Sequence, residues 1–171
     1  MMFLQRTSCT NHSLIGDTII DALALRRQTM QTFIPYPDFQ SSASVLDRQR
    51  LGKQRVETLQ ILNALAGLSK GWVNHPATKM WGTYESALLQ YGLAIVAEWR
   101  SRGYKDTCEA KMWAVHDSMT HVRDFTAMPP WLGLDIVHDS HKSNLLRKNP
   151  EWYSHYNWNV PDDLPYEWPT P

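Results

Sequence analysis

The strongest constraint on the fold is a stripe of large apolar side chains that recur every three or four residues in the middle of the chain. Its members are Trp81, Tyr84, Leu88, Tyr91, Ile95 and Trp99. This spacing places all of them on one face of an α-helix, and a helix with such a face normally packs it against the core. Pro76 suits a first helical turn and Gly103 can end the helix. We therefore predict a long central helix over 76–103.

Three further helices follow from periodicity and capping signals. We predict them over 42–66, 107–125 and 135–148. Gly52 is a position where the first could bend, and Asp106 with Glu109 resembles a capping box before the second. No stretch alternates with period two, as a half-buried strand would. The predicted fold is all-α: a compact single-domain helical fold with long central helices and irregular N- and C-terminal segments.

Composition limits the class of protein. The 171 residues are enough for one domain with a sizeable core, and 43% hydrophobic and 20% charged residues are ordinary for a globular chain. The formal net charge is zero, so attraction to nucleic acid must come from a local patch. Two Cys and seven His without ligand spacing predict no metal site. We expect no cofactor and no membrane span, and we expect a cytoplasmic monomer.

The chain divides by composition into three parts. Residues 1–29 predict an N-terminal extension, disordered or not native, with an amphipathic piece over 14–27. Residues 30–158 predict the helical domain, and 159–171 predict an irregular Pro-rich tail. Met30 is an alternative start of the protein, so 1–29 can also be upstream sequence.

The charged stretch 46–57 is the first functional candidate. On a helix, Arg50, Lys53 and Glu57 fall at i, i+3 and i+7, so they share one face. A solvated helix with ion pairs on its surface is the ordinary interpretation. The alternative is a site that holds an anionic polymer against one acid/base carboxylate, Glu57. Arg50, Lys53 and Arg55 predict that Glu57 stays ionised, because opposite charges favour the charged form.

Three ordered segments together resemble the pyrimidine-dimer DNA glycosylase family. They are LDRQRLGKQRVE at 46–57, His75 followed by the segment 80–104, and LLRKNPEWYSHY at 145–156. The resemblance covers most of 42–156 and follows the order and spacing of the family. It implies a compact helical domain that binds damaged duplex DNA, removes a base and cleaves the strand as an AP lyase.

The resemblance also implies a mechanism. Family members attack the sugar with the α-amine of the mature N-terminus, form a Schiff base, and use a carboxylate at the position of Glu57 as the acid/base group. Here the counterpart of that N-terminus is Met30, followed by the bulky Gln31 where the family has a small Thr. Lys53, one turn from Glu57, is a replacement amine whose pKa would have to fall.

Basic and aromatic side chains in the matching segments predict contacts with DNA. For the basic residues, phosphate contact competes with a solvated face. For the aromatic residues, a surface facing the lesion competes with a buried plug, and for His138 and His141 a surface role is favoured. The predicted DNA-binding residues are Arg48, Arg50, Arg55, His141, Lys142, Arg147, Lys148, Trp152, Tyr153 and Tyr156.

Two other functions remain open at the level of sequence. The first is a non-catalytic DNA-binding domain on the same helical fold, which would bind duplex DNA in a salt-sensitive way without cleaving it. The second is a structural or protein-interaction helical domain, which would not retain DNA even at low salt.

Overall fold

Seven α-helices and one 3₁₀ turn form the regular structure of residues 30–120 and 124–170, the part described by the computed structural model. They are α1 Phe39–Val45, α2 Arg48–Leu65, α3 Pro76–Met80, α4 Glu85–Ser101, α5 Glu109–Ser118, α6 Asp135–Lys148 and α7 Pro150–Tyr153, followed by the turn Ser154–Tyr156. This described part contains no strand, so the all-α prediction is confirmed. None of its helices is long and apolar enough to cross a bilayer.

The chain divides into two units, Met1–Met30 and Gln31–Pro171, and all seven helices lie in the second. The amphipathic piece predicted over 14–27 falls outside the described residues. The tail after Trp158 has no helix within the described residues, as its proline content predicts. The domain limits at 30, 158 and 159 stay predictions.

The prediction of a single helix over 42–66 is wrong, because the structure has two helices there, α1 and α2, which are separated at Leu46 and Asp47. Leu46 is extended, and the Asp47 carboxylate accepts a hydrogen bond from the Arg50 N–H at 3.0 Å, which starts a new helix. The hydroxyl of Tyr153 accepts from the Asp47 N–H at 3.1 Å and donates to the Asp47 carboxylate at 2.9 Å. A distant tyrosine therefore satisfies the backbone at the break. Gly52 lies inside α2.

The predicted central helix is also interrupted, between α3 and α4. Thr83 has a positive φ of 68°, which no helical residue has. Trp81 is fully buried here, and its indole N–H donates to the Thr32 hydroxyl at 3.0 Å. The indole of Trp131 donates to the Met80 carbonyl at 3.1 Å, so that the end of α3 is satisfied by a side chain. Contacts across the fold thus override a continuous helical pattern.

Of the other two predicted helices, the third is shorter than predicted and the fourth has the predicted limits. The Asp106 carboxylate accepts from the N–H groups of Cys108 and Glu109 at 3.0 and 2.9 Å, which confirms the predicted cap of α5. The helix ends at Ser118 rather than near Phe125, and 121–123 are outside the described residues. The predicted limits of α6 are confirmed.

Helices α2, α4 and α5 meet at one close contact in the core. A Cβ on Gly92 of α4 would lie 2.8 Å from Cγ2 of Thr58 in α2 and 2.7 Å from Sδ of Met112 in α5. Only glycine fits there without movement of the neighbouring helices. Because Thr58 directly follows Glu57, this contact also fixes the position of the candidate carboxylate.

Candidate active site

An extended segment, Gln31–Ile34, runs through the interior and is held by side chains rather than by other backbone. Gln54 of α2, fully buried, makes four hydrogen bonds around it. Its Oε1 accepts from the Phe33 N–H at 3.1 Å and from the Tyr91 hydroxyl at 2.6 Å. Its Nε2 donates to the Gln31 carbonyl and to Glu57 Oε2, both at 2.7 Å. Gln54 therefore fixes the segment beside the carboxylate.

Two histidines of α6 hold the far end of this segment. His141 Nδ1 accepts from the Ile34 N–H at 3.1 Å, and His138 Nδ1 donates to the Ile34 carbonyl at 2.8 Å. His138 Nε2 accepts from the Gly133 N–H at 2.9 Å, which fixes its neutral form. Burial lowers the pKa of His138, and it lowers the pKa of His141 to about 3. The expected surface role is wrong, because both rings are needed to satisfy a buried backbone.

Glu57 is a buried carboxylate with three polar neighbours. Besides Gln54, these are the backbone N–H of Gln31, which is close enough to lower the pKa of Glu57, and Lys53 Nζ, which pairs with the carboxylate at 3.2 Å. Burial raises the pKa of Glu57 from its ordinary 4.5 to about 6, which outweighs the opposing effect of Lys53. The Glu57 carboxyl group is ionised at neutral pH. Its pKa is nevertheless closer to 7 than we expected from the three neighbouring cations Arg50, Lys53 and Arg55. The arginines at 50 and 55 pair with other carboxylates.

The raised pKa of Glu57 predicts how stability depends on pH. The folded protein binds this proton more tightly than the unfolded chain, so its stabilisation is full below pH 4.5 and is lost as pH rises through 6. A rise from 4.5 to about 6 corresponds to roughly 2 kcal/mol. We expect urea unfolding of the wild type, compared with Glu57→Gln at each pH, to show the wild type losing about this much between pH 4.5 and 7.5. A difference that does not change with pH would contradict this prediction.

A basic cluster of four side chains, Arg50, Lys53, Arg147 and Lys148, lies near Glu57. Arg50 pairs with Asp47 and donates to the Lys148 carbonyl at 3.1 Å, which ties α2 to the end of α6. Desolvation lowers the pKa of Lys148, and the cations of Arg50, Arg147 and Lys53 lower it further. Four cations close to the buried Glu57 carboxylate concentrate positive potential where it would attract a polyanion.

The remaining predicted basic residues lie elsewhere. Arg55 pairs with the fully buried carboxylate of Asp106 at 2.7 Å and lies 4.1 Å over the Trp99 ring, so it stabilises the packing of α2 against α5. Lys142 pairs with Asp139 at 2.8 Å. Arg48 is exposed, with its guanidinium 5.2 Å from the centre of the Tyr104 ring. Contact between these residues and DNA stays a prediction.

The three aromatic candidates divide between core and surface. Tyr153 is fully buried and bonded to Asp47, so it is a core residue. Trp152 remains 37% exposed and donates from its indole to the Val45 carbonyl at 2.8 Å. Tyr156 is half-buried and stacks on Trp158, with ring centres 5.3 Å apart. A surface for stacking on bases is therefore available only at Trp152 and Tyr156 of these three.

Sequence reasoning missed several residues of the site. Gln54 lies within the charged stretch and gives no periodic or charge signal. Gln31 and Tyr91 are recognised only through the contacts they make with Gln54 and Glu57. An uncharged amide three residues before a candidate acid/base carboxylate is the one signal that could have suggested Gln54, because i and i+3 are neighbours on a helix. His75 caps α3, since its Nδ1 accepts from the Ala77 N–H at 3.1 Å.

Fold and site together define a class of protein: an all-α domain with a buried carboxylate, Glu57, whose pKa is raised. This carboxylate lies beside the extended segment at Gln31 and near the basic cluster. Residues 30–120 and 124–170 contain no group of three ligands that could hold a metal ion. Such a site suits amine and carboxylate chemistry on an anionic substrate.

Comparison with known families agrees with this class. Residues 30–112, just under half of the chain, match the family model described as pyrimidine dimer DNA glycosylase. The resemblance seen in the sequence is confirmed, and it places the protein with DNA repair glycosylases, whose partner is DNA. Neither the curated proteins nor the solved structures provide a match. The matched region contains the extended segment, α2 and α4, and thus Glu57 with its partners.

Proposed function

We propose that this protein is a DNA glycosylase with AP lyase activity, which acts on pyrimidine-dimer-type lesions in duplex DNA. One observation carries the proposal: Gln54 donates both to the Gln31 carbonyl and to Glu57 Oε2 at 2.7 Å, and the Gln31 N–H is close enough to lower the pKa of the Glu57 carboxylate. An amine at that nitrogen would lie directly against a carboxylate whose pKa is about 6, in a family that removes damaged bases from DNA. The basic cluster next to this pair supports binding of the phosphate backbone.

The reaction needs one amine and one acid/base group. The neutral amine attacks C1′ of the target deoxyribose, the glycosidic bond breaks, and the base leaves with the electron pair and takes up a proton. The nitrogen on C1′ loses a proton, its lone pair forms a C=N bond as the C1′–O4′ bond breaks, and O4′ takes up a proton, which leaves an open-ring, protonated Schiff base. Removal of a proton from C2′ then breaks the C3′–O bond, and the 3′ phosphate leaves. Glu57, with a pKa close to working pH, is the group that accepts and returns these protons.

Two nitrogens compete for the role of nucleophile. The peptide nitrogen of Gln31 cannot attack, because its lone pair is delocalised into the carbonyl. If translation starts at Met30, an α-amine with an ordinary pKa near 7.7–8.0 arises at Met30, or at Gln31 after loss of the methionine. Lys53 Nζ lies 3.2 Å from Glu57 and forms an ion pair with that carboxylate. We therefore assign the nucleophile to the α-amine of the shorter chain and treat Lys53 as the second candidate.

Borohydride trapping tests this assignment. We expect a chain starting at Met30 to form a covalent adduct with DNA that carries an abasic site, and we expect the adduct to map to the N-terminal peptide. Lys53→Arg, which keeps the charge, should leave trapping within about twofold, because the α-amine does not depend on it. If the adduct maps to Lys53 and is lost in Lys53→Arg, the nucleophile is the lysine and not the α-amine. If neither the chain starting at Met30 nor the full chain forms an adduct, the enzymatic proposal is wrong.

A second function, duplex binding without cleavage, is favoured by one feature of the full chain. In the full chain a peptide bond joins Met30 to Gln31, so the nitrogen of Gln31 is an amide and the site lacks an α-amine. This function predicts that the full chain retains salt-sensitive binding to duplex DNA. Comparing trapping by the full chain and the chain from Met30 separates the two functions.

A further inference from the structure

The C-terminal tail is fixed to α6 by three buried polar side chains. Ser143 Oγ accepts from the Leu164 N–H at 2.9 Å, and Asn144 Nδ2 donates to the Leu164 carbonyl at 3.1 Å. Ser140 Oγ accepts from the Glu167 N–H at 3.2 Å. The three side chains are at most 1% exposed, and buried polar groups of this kind normally keep their hydrogen bonds. The tail is therefore held in one place from Leu164 to Glu167.

This anchoring brings Tyr166 against both supports of the extended segment Gln31–Ile34. At the far end, its ring packs edge-on to His141, with ring centres 5.9 Å apart, and His141 Nδ1 accepts from the Ile34 N–H at 3.1 Å. At the near end, its hydroxyl lies within hydrogen-bonding reach of the Gln31 side chain. Burial raises the pKa of Tyr166 to about 12 against the opposing effect of Gln31, so the hydroxyl is neutral at working pH.

The Gln31 side chain is buried, and its own segment fixes only one end of its amide. Its Oε1 accepts from the Thr32 N–H at 2.9 Å, which leaves Nε2 to donate. Neither Gln31 Nε2 nor the Tyr166 hydroxyl has another hydrogen-bond partner among the described residues. Because buried polar groups without a partner cost free energy, each is the partner that the other requires. Gln54 fixes the Gln31 backbone, and Tyr166 restrains its side chain.

We propose that Tyr166 is a positioning residue through which the C-terminal tail holds Gln31 against Glu57. The consequence for catalysis rests on the proposed function, whereas the position of Gln31 does not depend on it. The tail lies outside residues 30–112, so this support comes from a part of the chain that the family match does not include.

Titration of Glu57 in the full chain tests the positioning role. Tyr166→Phe removes the hydroxyl that faces Gln31 and keeps the ring against His141. Burial raises the pKa of Glu57 and the Gln31 N–H lowers it, so a Gln31 that is no longer restrained should let this pKa rise further. We expect a rise of roughly 0.5 pH unit, read from the side-chain carboxyl signal of Glu57 in a ¹³C NMR titration. Tyr84→Phe, which removes a hydroxyl at the start of α4, should leave the pKa of Glu57 unchanged.

Activity provides a second readout. In the chain that traps abasic DNA, Tyr166→Phe should lower kcat for cleavage at an abasic site about 3- to 10-fold, the loss of one neutral hydrogen bond. KM should change by less than twofold, because the basic cluster is intact. Ser143→Ala, which leaves the Leu164 N–H without its acceptor and loosens the tail, should change kcat and the pKa of Glu57 in the same directions but by less.

Two outcomes would overturn the positioning role. An unchanged pKa of Glu57 in Tyr166→Phe would do so even if urea unfolding showed a loss of stability, because a merely structural role lowers stability without moving this pKa. A raised pKa with wild-type kcat would mean that the position of Gln31 does not matter to the reaction. If the wild type traps no abasic DNA, the proposed function fails instead, and the Glu57 titration alone decides whether Tyr166 positions Gln31.

Discussion

Glu57→Gln is expected to lower base removal and strand cleavage by roughly 100- to 10,000-fold, the usual contribution of a positioned acid/base group. The amide is nearly isosteric with the carboxylate and can still accept from Gln54 and from the Gln31 N–H. It cannot take up a proton at working pH. Schiff-base formation and β-elimination both move protons, so both should fail. Trapping with borohydride on abasic DNA and strand cleavage on dimer DNA measure the two steps separately.

A matched control for this variant is Glu98→Gln in α4. Glu98 pairs with Arg102 at 2.7 Å on the same helix and has no contact with the extended segment. We expect this control to keep wild-type activity. The wild type should also show a loss of rate below pH 6, where Glu57 becomes protonated. Activity within about threefold of wild type in Glu57→Gln would remove the carboxylate from the mechanism.

Gln54→Leu is expected to have the second largest effect, on both stability and activity. The leucine fills a similar volume but leaves the Phe33 N–H, the Gln31 carbonyl and the Glu57 carboxylate without this buried partner. An unsatisfied buried group costs about 1–3 kcal/mol, so several in one network should lower the free energy of unfolding by roughly 3–5 kcal/mol. Because the same residue fixes Gln31 beside Glu57, the remaining folded protein should trap abasic DNA poorly.

Gln60→Leu in the same helix is the control for Gln54→Leu. Gln60 is half-buried and lies outside the network around the extended segment. Urea unfolding should show little change in this control, within about 0.5 kcal/mol. If both variants lose the same stability, the loss reflects the helix rather than the network. If Gln54→Leu folds normally and traps DNA at the wild-type rate, the proposed positioning role of Gln54 is wrong.

The sequence predicted the parts of the site that depend on local order. The charged stretch pointed to Glu57 and Lys53, which are paired in the structure, because residues i and i+4 face each other on any helix. The cap at Asp106 and the limits of α6 also follow from neighbours in the chain. Burial of His138 could not be predicted in this way, since a histidine on a polar helix gives no sign of its partner.

The sequence by itself predicted the helical class, the resemblance to the glycosylase family and Glu57 as the candidate carboxylate. Only the tertiary structure decided where the helices break and which side chains surround that carboxylate. The bonds from Tyr153 to Asp47 and from Ile34 to His141 join residues 106 and 107 positions apart. Burial, which raises the pKa of Glu57, is likewise a property of all the elements packed around it. Periodicity and capping report only on neighbours in the chain, so they carry no information about such distant partners.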